Sequence, residues 1–344
     1  MDQGYQETRG ARSKVLSKMA ELPKILLAGA SGFIGSFLLQ ELKKNWSDAY
    51  EIHVLERYVT TRYANPGRGV QTHFADLRDA SAVRSTVKTV MPDIVIHLAA
   101  ISPVSYSYDH ASEVIESNLG GTINLVEACK SFVPHLRHFI AAGTTEEYGV
   151  TKEHPAGEEA RCVPNSPYSV SKHAQSEFLQ MMNLAYGFPA TIMRATNTYG
   201  RIDDRHFFIE KLLTQMIEKP TGEVFFESDD AMRDFMYVHD HVSAYISVLS
   251  QPEASIGEIF NFSTHDARKL SGVIKLMAKI TDFRGELVKG SIPKRPLDIM
   301  DHRIRSDKAR RILKWSPRWT LEEGLADLAT IWSEKLSRSP VINK

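Results

Sequence analysis

Cysteine, net charge and long apolar runs are all scarce in this sequence, and each scarcity excludes a class of protein. Two cysteines among 344 residues cannot build a disulfide framework, which fits a reducing cytoplasm. The formal net charge is zero, so the composition predicts neither nucleic acid nor an anionic membrane surface as a partner. No apolar run approaches the roughly 20 residues of a membrane span. Residues 1–20 carry charges throughout, and we expect a flexible extension rather than a secretory signal.

Short apolar segments alternate with helical ones from Lys24 onward. The segment KILLAGA at 24–30 is apolar throughout, as expected for a strand buried on both faces. Further strands are predicted at 51–56, 70–75, 93–100, 137–144 and 189–196, with helices at 79–90, 112–131 and 168–186. This alternation predicts an α/β fold with a doubly wound, Rossmann-like parallel sheet.

The rhythm of the sequence changes after Gly200. A helix is predicted at 207–219, a strand running into a helix at 232–250, and a strand at 257–264. The length favours more than one hydrophobic core. We expect a dinucleotide-binding domain from 21–200 with a return segment at 232–262. A smaller α/β substrate-binding domain would come from 201–231 and 263–344, with the active site between the two domains.

Three glycines, Gly29, Gly32 and Gly35, follow the first predicted strand in the segment GASGFIG and open a helix. Glycine permits a tight turn and lets the backbone approach a pyrophosphate, while the helix N-terminus offers unpaired N–H groups. The spacing is G-x-x-G-x-x-G. Its position between a buried strand and a helix predicts a dinucleotide site rather than a simple packing turn.

The adenosine half of the cofactor site is predicted from charged residues after the second and third strands. Glu56 ends the second strand, where a carboxylate binds ribose hydroxyls and repels a 2′-phosphate, so we favour NAD. Arg57 and Arg62 leave NADP as the alternative, because either can pair with that phosphate. Asp76 and Leu77 follow the third strand, and Asp76 either holds the adenine amino group or caps the next helix.

The segment PYSVSKHAQSEFL carries Tyr168 and Lys172, which share a helix face because they are four residues apart. A free tyrosine has a pKa of about 10 and is a poor base. A nearby ammonium and a positive nicotinamide ring favour the phenolate, so Tyr168 can take a proton from a sugar hydroxyl. A Y-x-x-x-K pair alone is also a common chance pattern.

The segment AAGTTEEYG ends the fifth predicted strand, at the edge where open α/β sheets bind ligands. Alternate side chains of an extended backbone share a side, so Thr144 and Glu146 are expected to face the site together. Thr144 can bond the hydroxyl that Tyr168 deprotonates, and Glu146 can act on a neighbouring carbon. The alternative for Glu146 is an ordinary loop carboxylate at the sheet edge.

Several motifs occur in a fixed order: GASGFIG, HLAA at 97–100, NLGGT at 118–122, TTEEYG, YSVSK and RATNTYG. Together they resemble the extended short-chain dehydrogenase/reductase family of nucleotide-sugar-modifying enzymes over residues 24–330. Downstream, FFIEKL, MRDFMYVHD and LKWSPRWTLEEGL are similar to segments of nucleotide-sugar 4,6-dehydratases. The resemblance also implies a homodimer, with helices 112–131 and 168–186 as candidates for its interface.

The resemblance implies roles for individual residues. Thr144, Tyr168 and Lys172 would be the family triad, with Asn118 supporting the lysine. Further cofactor contacts are implied for Ser31, Phe33, Ile34, Leu98, Ala99, Ala100 and Asn118. Substrate contacts are implied for Ser102, Thr144, Thr145, Glu146, Asn197, Lys211, Arg233 and Arg303, of which Asn197 and Arg233 would hold the diphosphate. No metal site is predicted.

Some positions depart from the family pattern. The dTDP-glucose dehydratases have Thr-Asp-Glu where this sequence has Thr144, Thr145 and Glu146. The acid for the leaving hydroxyl is therefore unassigned, with protonated Glu146, or Thr145 through a water, as candidates. GDP-mannose dehydratases and UDP-glucuronate decarboxylases have Thr-Ser-Glu, which this sequence resembles more closely. Tyr106 stands where relatives often have arginine, which points to an unusual sugar.

We therefore predict an NAD(P)-dependent nucleotide-sugar 4,6-dehydratase of carbohydrate biosynthesis. It would oxidise C4, eliminate water across C5–C6 and return hydride to C6. A UDP-glucuronate decarboxylase, which also keeps a glutamate at position 146, or a 4-epimerase, which typically does not, is the alternative. A cofactor-binding regulator without chemistry is disfavoured, because Thr144, Tyr168 and Lys172 are all present.

Overall fold

The computed structural model describes residues 22–58, 69–227, 229–290 and 297–338. The extension predicted for residues 1–20 and the alternative phosphate partner Arg62 lie outside these ranges. Within the described ranges, no helix has both the length and the apolar character needed to cross a bilayer.

The strands and helices follow one another in an α/β pattern. The strands are β1 (Lys24–Ala28), β2 (Glu51–Glu56), β3 (Val70–Phe74), β4 (Ile94–His97), β5 (His138–Ala142), β6 (Ala190–Ala195), β7 (Asn197–Tyr199), β8 (Glu223–Phe226), β9 (Met232–Arg233), β10 (Phe235–Tyr237), β11 (Ile259–Phe262), β12 (Arg268–Lys269), β13 (Glu286–Lys289) and β14 (Asp301–His302). The α-helices are α1 (Phe33–Asn45), α2 (Ala80–Val90), α3 (Val104–Asp109), α4 (Ala111–Ile115), α5 (Gly121–Phe132), α6 (Pro167–Tyr186), α7 (Phe208–Glu218), α8 (Val238–Leu249), α9 (Pro252–Ser255), α10 (Leu270–Ile280), α11 (Asp307–Ile312) and α12 (Leu321–Arg338).

Seven strands form one parallel sheet in the order β11-β6-β5-β4-β1-β2-β3. The predicted doubly wound sheet is confirmed. The chain builds outward from β1 to β3, then returns to the other side of β1 at β4. Ligands bind to open α/β sheets where the strand order reverses in this way. The carboxyl ends of β1 and β4 therefore mark the cofactor crevice.

Alternate residues of β1 enter opposite cores, which explains why the strand is apolar throughout. Ile25 and Leu27 share a core with residues of α1 and α8, whereas Leu26 and Ala28 share one with residues of α2, α5 and α6. Side chains of a strand alternate between its faces, so a sheet covered on both faces needs apolar residues at every position.

A third core lies outside the large sheet. It joins α7, α10 and α12 through residues such as Leu213, Val273 and Leu325. Small sheets, β7 with β10, β8 with β13, and β9 between β12 and β14, belong to this part of the chain. Trp315 falls in the range predicted for the second domain, but its ring packs 4.9 Å from that of Phe262 in the core beside the large sheet. The exact domain boundaries remain a prediction.

Candidate active site

The glycine loop between β1 and α1 is too tight for side chains. Gly29 has φ +90°, and a Cβ there would lie 2.7 Å from the Ala99 nitrogen. A Cβ on Gly35 would lie 2.1 Å from the Gly29 carbonyl oxygen. α1 begins directly after Gly32, which as the N-cap brings no capping side chain. The loop thus leaves a bare backbone surface at a helix N-terminus, which fits a dinucleotide pyrophosphate.

Glu56 reaches from the end of β2 onto this loop. One carboxylate oxygen accepts the Ser31 N–H at 2.7 Å, and the other accepts the Ser31 hydroxyl. Burial raises the pKa of Glu56 above its usual value, while the bonds from Ser31 oppose this. Arg57 turns to its neighbour, with a guanidinium nitrogen 3.0 Å from the Tyr58 hydroxyl. The carboxylate therefore lies at the glycine loop, where it could bind the hydroxyls of an adenosine ribose.

Asp76 lies after β3 and forms a close ion pair with Arg78, at 2.6 Å. The alternative role as a helix cap is wrong, because Asp79 caps α2 through bonds from the backbone N–H groups of Ser81 and Ala82. Leu77 is buried against the helix that begins at Gly121.

The proposed triad residues lie on two neighbouring elements. Thr144 follows β5, and Tyr168 and Lys172 lie in the first turns of α6, which Ser166 caps by accepting the Ser169 N–H. The Thr144 hydroxyl lies close enough to Tyr168 to lower the pKa of its phenol. Lys172 donates to the Gln175 amide oxygen at 2.7 Å. The structure therefore brings the three predicted side chains to one end of the sheet.

Burial controls the ionisation of both α6 side chains. It raises the pKa of Tyr168 far above its usual value, the bond from Thr144 lowers it, and the carboxylates of Glu146 and Glu147 raise it. Burial lowers the pKa of Lys172 to about 8, and Glu147 opposes this. Tyr168 therefore keeps its proton in this state of the site. The prediction that Lys172 lowers the tyrosine pKa stays a prediction.

Asn118 lies in a π-helical turn, Glu116–Gly120, an irregularity that often marks functional sites. Its side chain is fully buried. The amide oxygen accepts the Ile101 N–H at 2.7 Å, and the amide nitrogen donates to the Ile101 carbonyl at 3.1 Å. It also donates to the Ser171 hydroxyl at 3.0 Å. Since Ser171 precedes Lys172 on α6, Asn118 ties this part of the helix to the segment after β4 that contains Leu98, Ala99, Ala100 and Ser102.

The backbone after Thr144 differs from the expected extended segment. Residues Thr145–Tyr148 form a 3₁₀ turn, and the Thr144 hydroxyl accepts the Glu146 N–H at 3.2 Å. Glu146 is half-buried and close enough to Tyr168 to affect its pKa. Thr145 is fully buried, and its hydroxyl donates to the Ala195 carbonyl at 3.3 Å. Its side chain therefore offers no surface to a substrate, contrary to the sequence-based expectation.

The residues predicted to hold the substrate diphosphate lie in adjacent short strands. Asn197 opens β7, which pairs with β10, and Arg233 ends β9, just before β10. Arg233 donates to the Met232 carbonyl at 2.9 Å and lies 3.4 Å from the Asp298 carboxylate. It is thus a mostly buried cation near the third core.

The two weaker cationic candidates lie on the surface. Lys211 pairs with Glu227 at 2.7 Å, and Arg303 pairs with Asp301 at 2.6 Å. A nucleotide phosphate would have to compete with these carboxylates, so neither position gains support from the structure.

Sequence reasoning missed two buried groups beside the site. Glu147 forms an ion pair with Arg194, and its carboxylate also accepts the Thr144 N–H. His302 is 2% exposed, lies opposite Arg233 in the β9–β14 pairing, and makes no well-formed hydrogen bond from either ring nitrogen among the described residues. Burial lowers the pKa of His302 and the Glu146 carboxylate opposes this, which places the two side chains near each other. The glutamate pair in TTEEYG was a visible signal for Glu147, whereas nothing local marked His302.

Comparisons with known proteins identify the family of this chain. Residues 25–263 match the NAD dependent epimerase/dehydratase family, and the chain belongs to that family. It is 30% identical to a dTDP-glucose 4,6-dehydratase of Neisseria meningitidis, over 92% of this chain and 97% of that protein. It is also 30% identical to a trifunctional UDP-glucose 4,6-dehydratase of Arabidopsis thaliana, over 88% of this chain but only 45% of that protein.

A solved structure gives the same picture of the fold. The UDP-glucose 4-epimerase of Thermotoga maritima, determined with UDP-glucose, superposes with a TM-score of 0.82 and 26% identity, over 91% of this chain and 99% of that one. The predicted family and fold are confirmed. The predicted nicotinamide dinucleotide cofactor is confirmed by membership of a family that depends on NAD.

Proposed function

We propose that this protein is an NAD-dependent nucleotide-sugar 4,6-dehydratase. The observation that carries the proposal is a carboxylate, Glu146, held beside the hydroxyl pair of Thr144 and Tyr168. Oxidation of the C4 hydroxyl by the proposed triad and cofactor needs no carboxylate, but removal of the C5 proton needs a base. The similarity to dTDP-glucose and UDP-glucose 4,6-dehydratases supports the same reaction.

The cofactor would be held at the glycine loop and Glu56, and when bound it supplies the two-electron oxidant for the C4 hydroxyl. Tyr168 takes the hydroxyl proton while Thr144 hydrogen-bonds the same oxygen. The resulting C4 ketone acidifies the C5 proton, so Glu146 can remove it and, once protonated, can give a proton to the C6 hydroxyl, which leaves as water. The hydride taken from C4 would then return to C6 and a solvent proton to C5, so there is no net redox change. Asn197 and Arg233 would hold the diphosphate throughout.

A 4-epimerase is the second candidate, because the Thermotoga maritima epimerase shares the whole fold. Epimerisation needs the C4 oxidation but no base at C5. The position of Glu146 therefore favours dehydration over epimerisation. It does not separate a dehydratase from a UDP-glucuronate decarboxylase, which also keeps this glutamate, so the experiment below includes that reaction.

The substrate and the reaction can be tested together by mass spectrometry. Full-length protein with NAD is offered a panel of nucleotide hexoses and UDP-glucuronate. We expect a product lighter by one water from a nucleotide hexose. Loss of carbon dioxide from UDP-glucuronate, or an isomer of unchanged mass, would replace the dehydratase by a decarboxylase or an epimerase.

Glu146→Gln tests the assigned base. The amide is nearly isosteric but cannot accept the C5 proton, so we expect dehydration to fall at least about 10²-fold. Solvent deuterium should enter C5 with wild-type protein and not with the variant. Glu253→Gln, which removes an exposed carboxylate on α9, should retain wild-type turnover. Wild-type rates of product formation in Glu146→Gln would show that Glu146 is not the base.

A further inference from the structure

Glu147 is a fully buried carboxylate to which the proposed reaction gives no role. One of its oxygens accepts the Thr144 N–H at 3.0 Å, and its own N–H bonds the Thr144 carbonyl at 3.2 Å. The Thr144 hydroxyl also accepts the Glu147 N–H, and together with the carboxylate bond to the Thr144 N–H this forms a capping box that fixes the start of the 3₁₀ turn. The placement of the Thr144 hydroxyl therefore depends on Glu147.

The other carboxylate oxygen binds Arg194 of β6. The guanidinium approaches it at 2.8 Å and 3.0 Å, and Arg194 is itself 2% exposed. Arg194 also donates to the Tyr148 hydroxyl at 3.1 Å, and that hydroxyl donates to Asn261 of β11 at 2.8 Å. The turn is thus tied to two strands of the large sheet.

Such a buried ion pair is not explained by stability alone. Desolvation of two charges roughly cancels their attraction, and apolar replacements are often as stable. What Glu147 itself adds is a carboxylate packed against α6, with Oε2 3.8 Å from Nδ1 of His173, the residue that follows Lys172. Glu147 acts electrostatically on Lys172 and Tyr168, and on both it raises the pKa.

We infer that Glu147 is a positioning residue: with Arg194 it fixes Thr144, and it places a negative charge against the part of α6 that carries Lys172. The kcat measurement of this role rests on the proposed function, whereas the titration of Lys172 does not. Among the described residues, Glu147 pairs with Arg194, lies 3.8 Å from His173, and acts electrostatically on Lys172, Tyr168 and Cys162.

The sign of the effect follows from the removed charge. Lys172 has a pKa of about 8, so its ammonium is lost as the pH rises through that value. Without the Glu147 carboxylate the ammonium would be lost at lower pH, and the phenolate of Tyr168 would also form at lower pH. The whole pH profile of kcat should move downward by about one pH unit.

Glu147→Gln in the full-length protein tests this, with Glu253→Gln as the control that removes an exposed charge. We expect the downward shift of the kcat profile, a lower kcat at alkaline pH and little change in KM. Titration of Lys172 followed by NMR of ¹³C-labelled lysine, assigned by its loss in Lys172→Met, should shift in the same direction. This second readout needs no substrate.

The double variant Glu147→Gln/Arg194→Gln distinguishes an effect of the Glu147 charge on Lys172 from a role of Glu147 only as the ion-pair partner of Arg194. The single variant leaves Arg194 buried without its partner and should lower the melting temperature, and the double variant should recover part of that loss. If the double variant regains both the wild-type melting temperature and the wild-type titration of Lys172, Glu147 serves only to pair Arg194 and the inference is wrong. If the single variant does not fold, a retained downward shift in the double variant supports the inference.

The two proposals fail differently. A wild-type protein that converts no nucleotide sugar, combined with a lowered Lys172 titration in Glu147→Gln, overturns the dehydratase and retains the positioning role. Normal dehydration by the wild type, combined with an unchanged Lys172 titration in Glu147→Gln, retains the dehydratase and overturns the positioning role.

Discussion

At the scale of single residues, the site is organised around a tyrosine that is hard to ionise. Tyr168 is buried, Thr144 lowers its pKa, and the carboxylates of Glu146 and Glu147 raise it. To act as the proposed base, Tyr168 must be activated by its surroundings, because desolvation alone disfavours the phenolate. The positions of Thr144 and Lys172 therefore matter as much as the tyrosine itself.

Tyr168→Phe keeps the ring and removes the ionisable hydroxyl. We expect kcat to fall at least about 10²-fold, the usual scale for a general base, with KM little changed. Steady-state kinetics with the accepted nucleotide sugar measure this. Tyr50→Phe removes a hydroxyl just before the amino end of β2, away from the carboxyl ends of the strands, and should have no effect. Near-normal turnover in Tyr168→Phe would remove the basis for the catalytic assignment.

Glu56 leads to a prediction about cofactor choice. Its carboxylate is held at the glycine loop by Ser31, so a 2′-phosphate placed there would be repelled. We expect tighter binding of NAD than of NADP, measured by calorimetric titration. Glu56→Gln should reduce the ratio of the NADP and NAD dissociation constants by roughly tenfold, the scale of one lost charge repulsion. Tighter NADP binding by the wild type, lost in Arg57→Ala, would reverse the assignment.

At the scale of elements, two turns define the site: the glycine loop before α1 and the 3₁₀ turn after β5. The first was evident from the sequence, because tight glycine turns have a local signature. The second was not. An extended segment was expected at Thr144–Glu146, but the capping box between Thr144 and Glu147 closes a turn instead. Glu146 and Glu147 consequently differ in environment, although they are adjacent in sequence.

Gly35→Ala tests the glycine loop. Its new Cβ would lie 2.1 Å from the Gly29 carbonyl, so loop and helix must separate. We expect a lower melting temperature and at least about tenfold weaker NAD binding, as for the loss of one good contact. Gly272→Ala in α10 is the matched control, since nothing lies within 4 Å of its Cβ. It should stabilise the fold by about 0.5–1 kcal/mol. Unchanged NAD binding in Gly35→Ala would argue against this loop as the cofactor site.

At the scale of the whole molecule, α6 presents an apolar surface to solvent. Leu184 is 86% exposed and Tyr186 60%, with Val170 and Met181 also exposed on the same helix. Helical spacing puts Val170, Met181 and Leu184 on one face of α6, and exposed apolar side chains that share a face commonly mark protein interfaces. Together with the family resemblance, this surface supports the homodimer as a proposal.

Light scattering after size exclusion tests the dimer. We expect wild-type protein at twice the chain mass of 38.7 kDa. Met181→Glu/Leu184→Glu should shift it toward one chain mass, because a charge buried in an apolar interface is strongly unfavourable. Leu287→Glu, a partly exposed position on β13, should leave the assembly unchanged. A monomeric wild type, or a double variant that still dimerises, would exclude α6 as the interface.

The sequence by itself determined the parallel sheet, the glycine loop, the Tyr168–Lys172 pair and the family. Each of these has a local signature, because an apolar run, a glycine turn or a helical spacing depends on neighbours in the chain. The tertiary structure alone decided which glutamate is buried, that Thr145 faces inward, and that Arg194 and His302 reach the site. Those contacts join segments far apart in sequence, and burial and pairing arise only when such segments pack together.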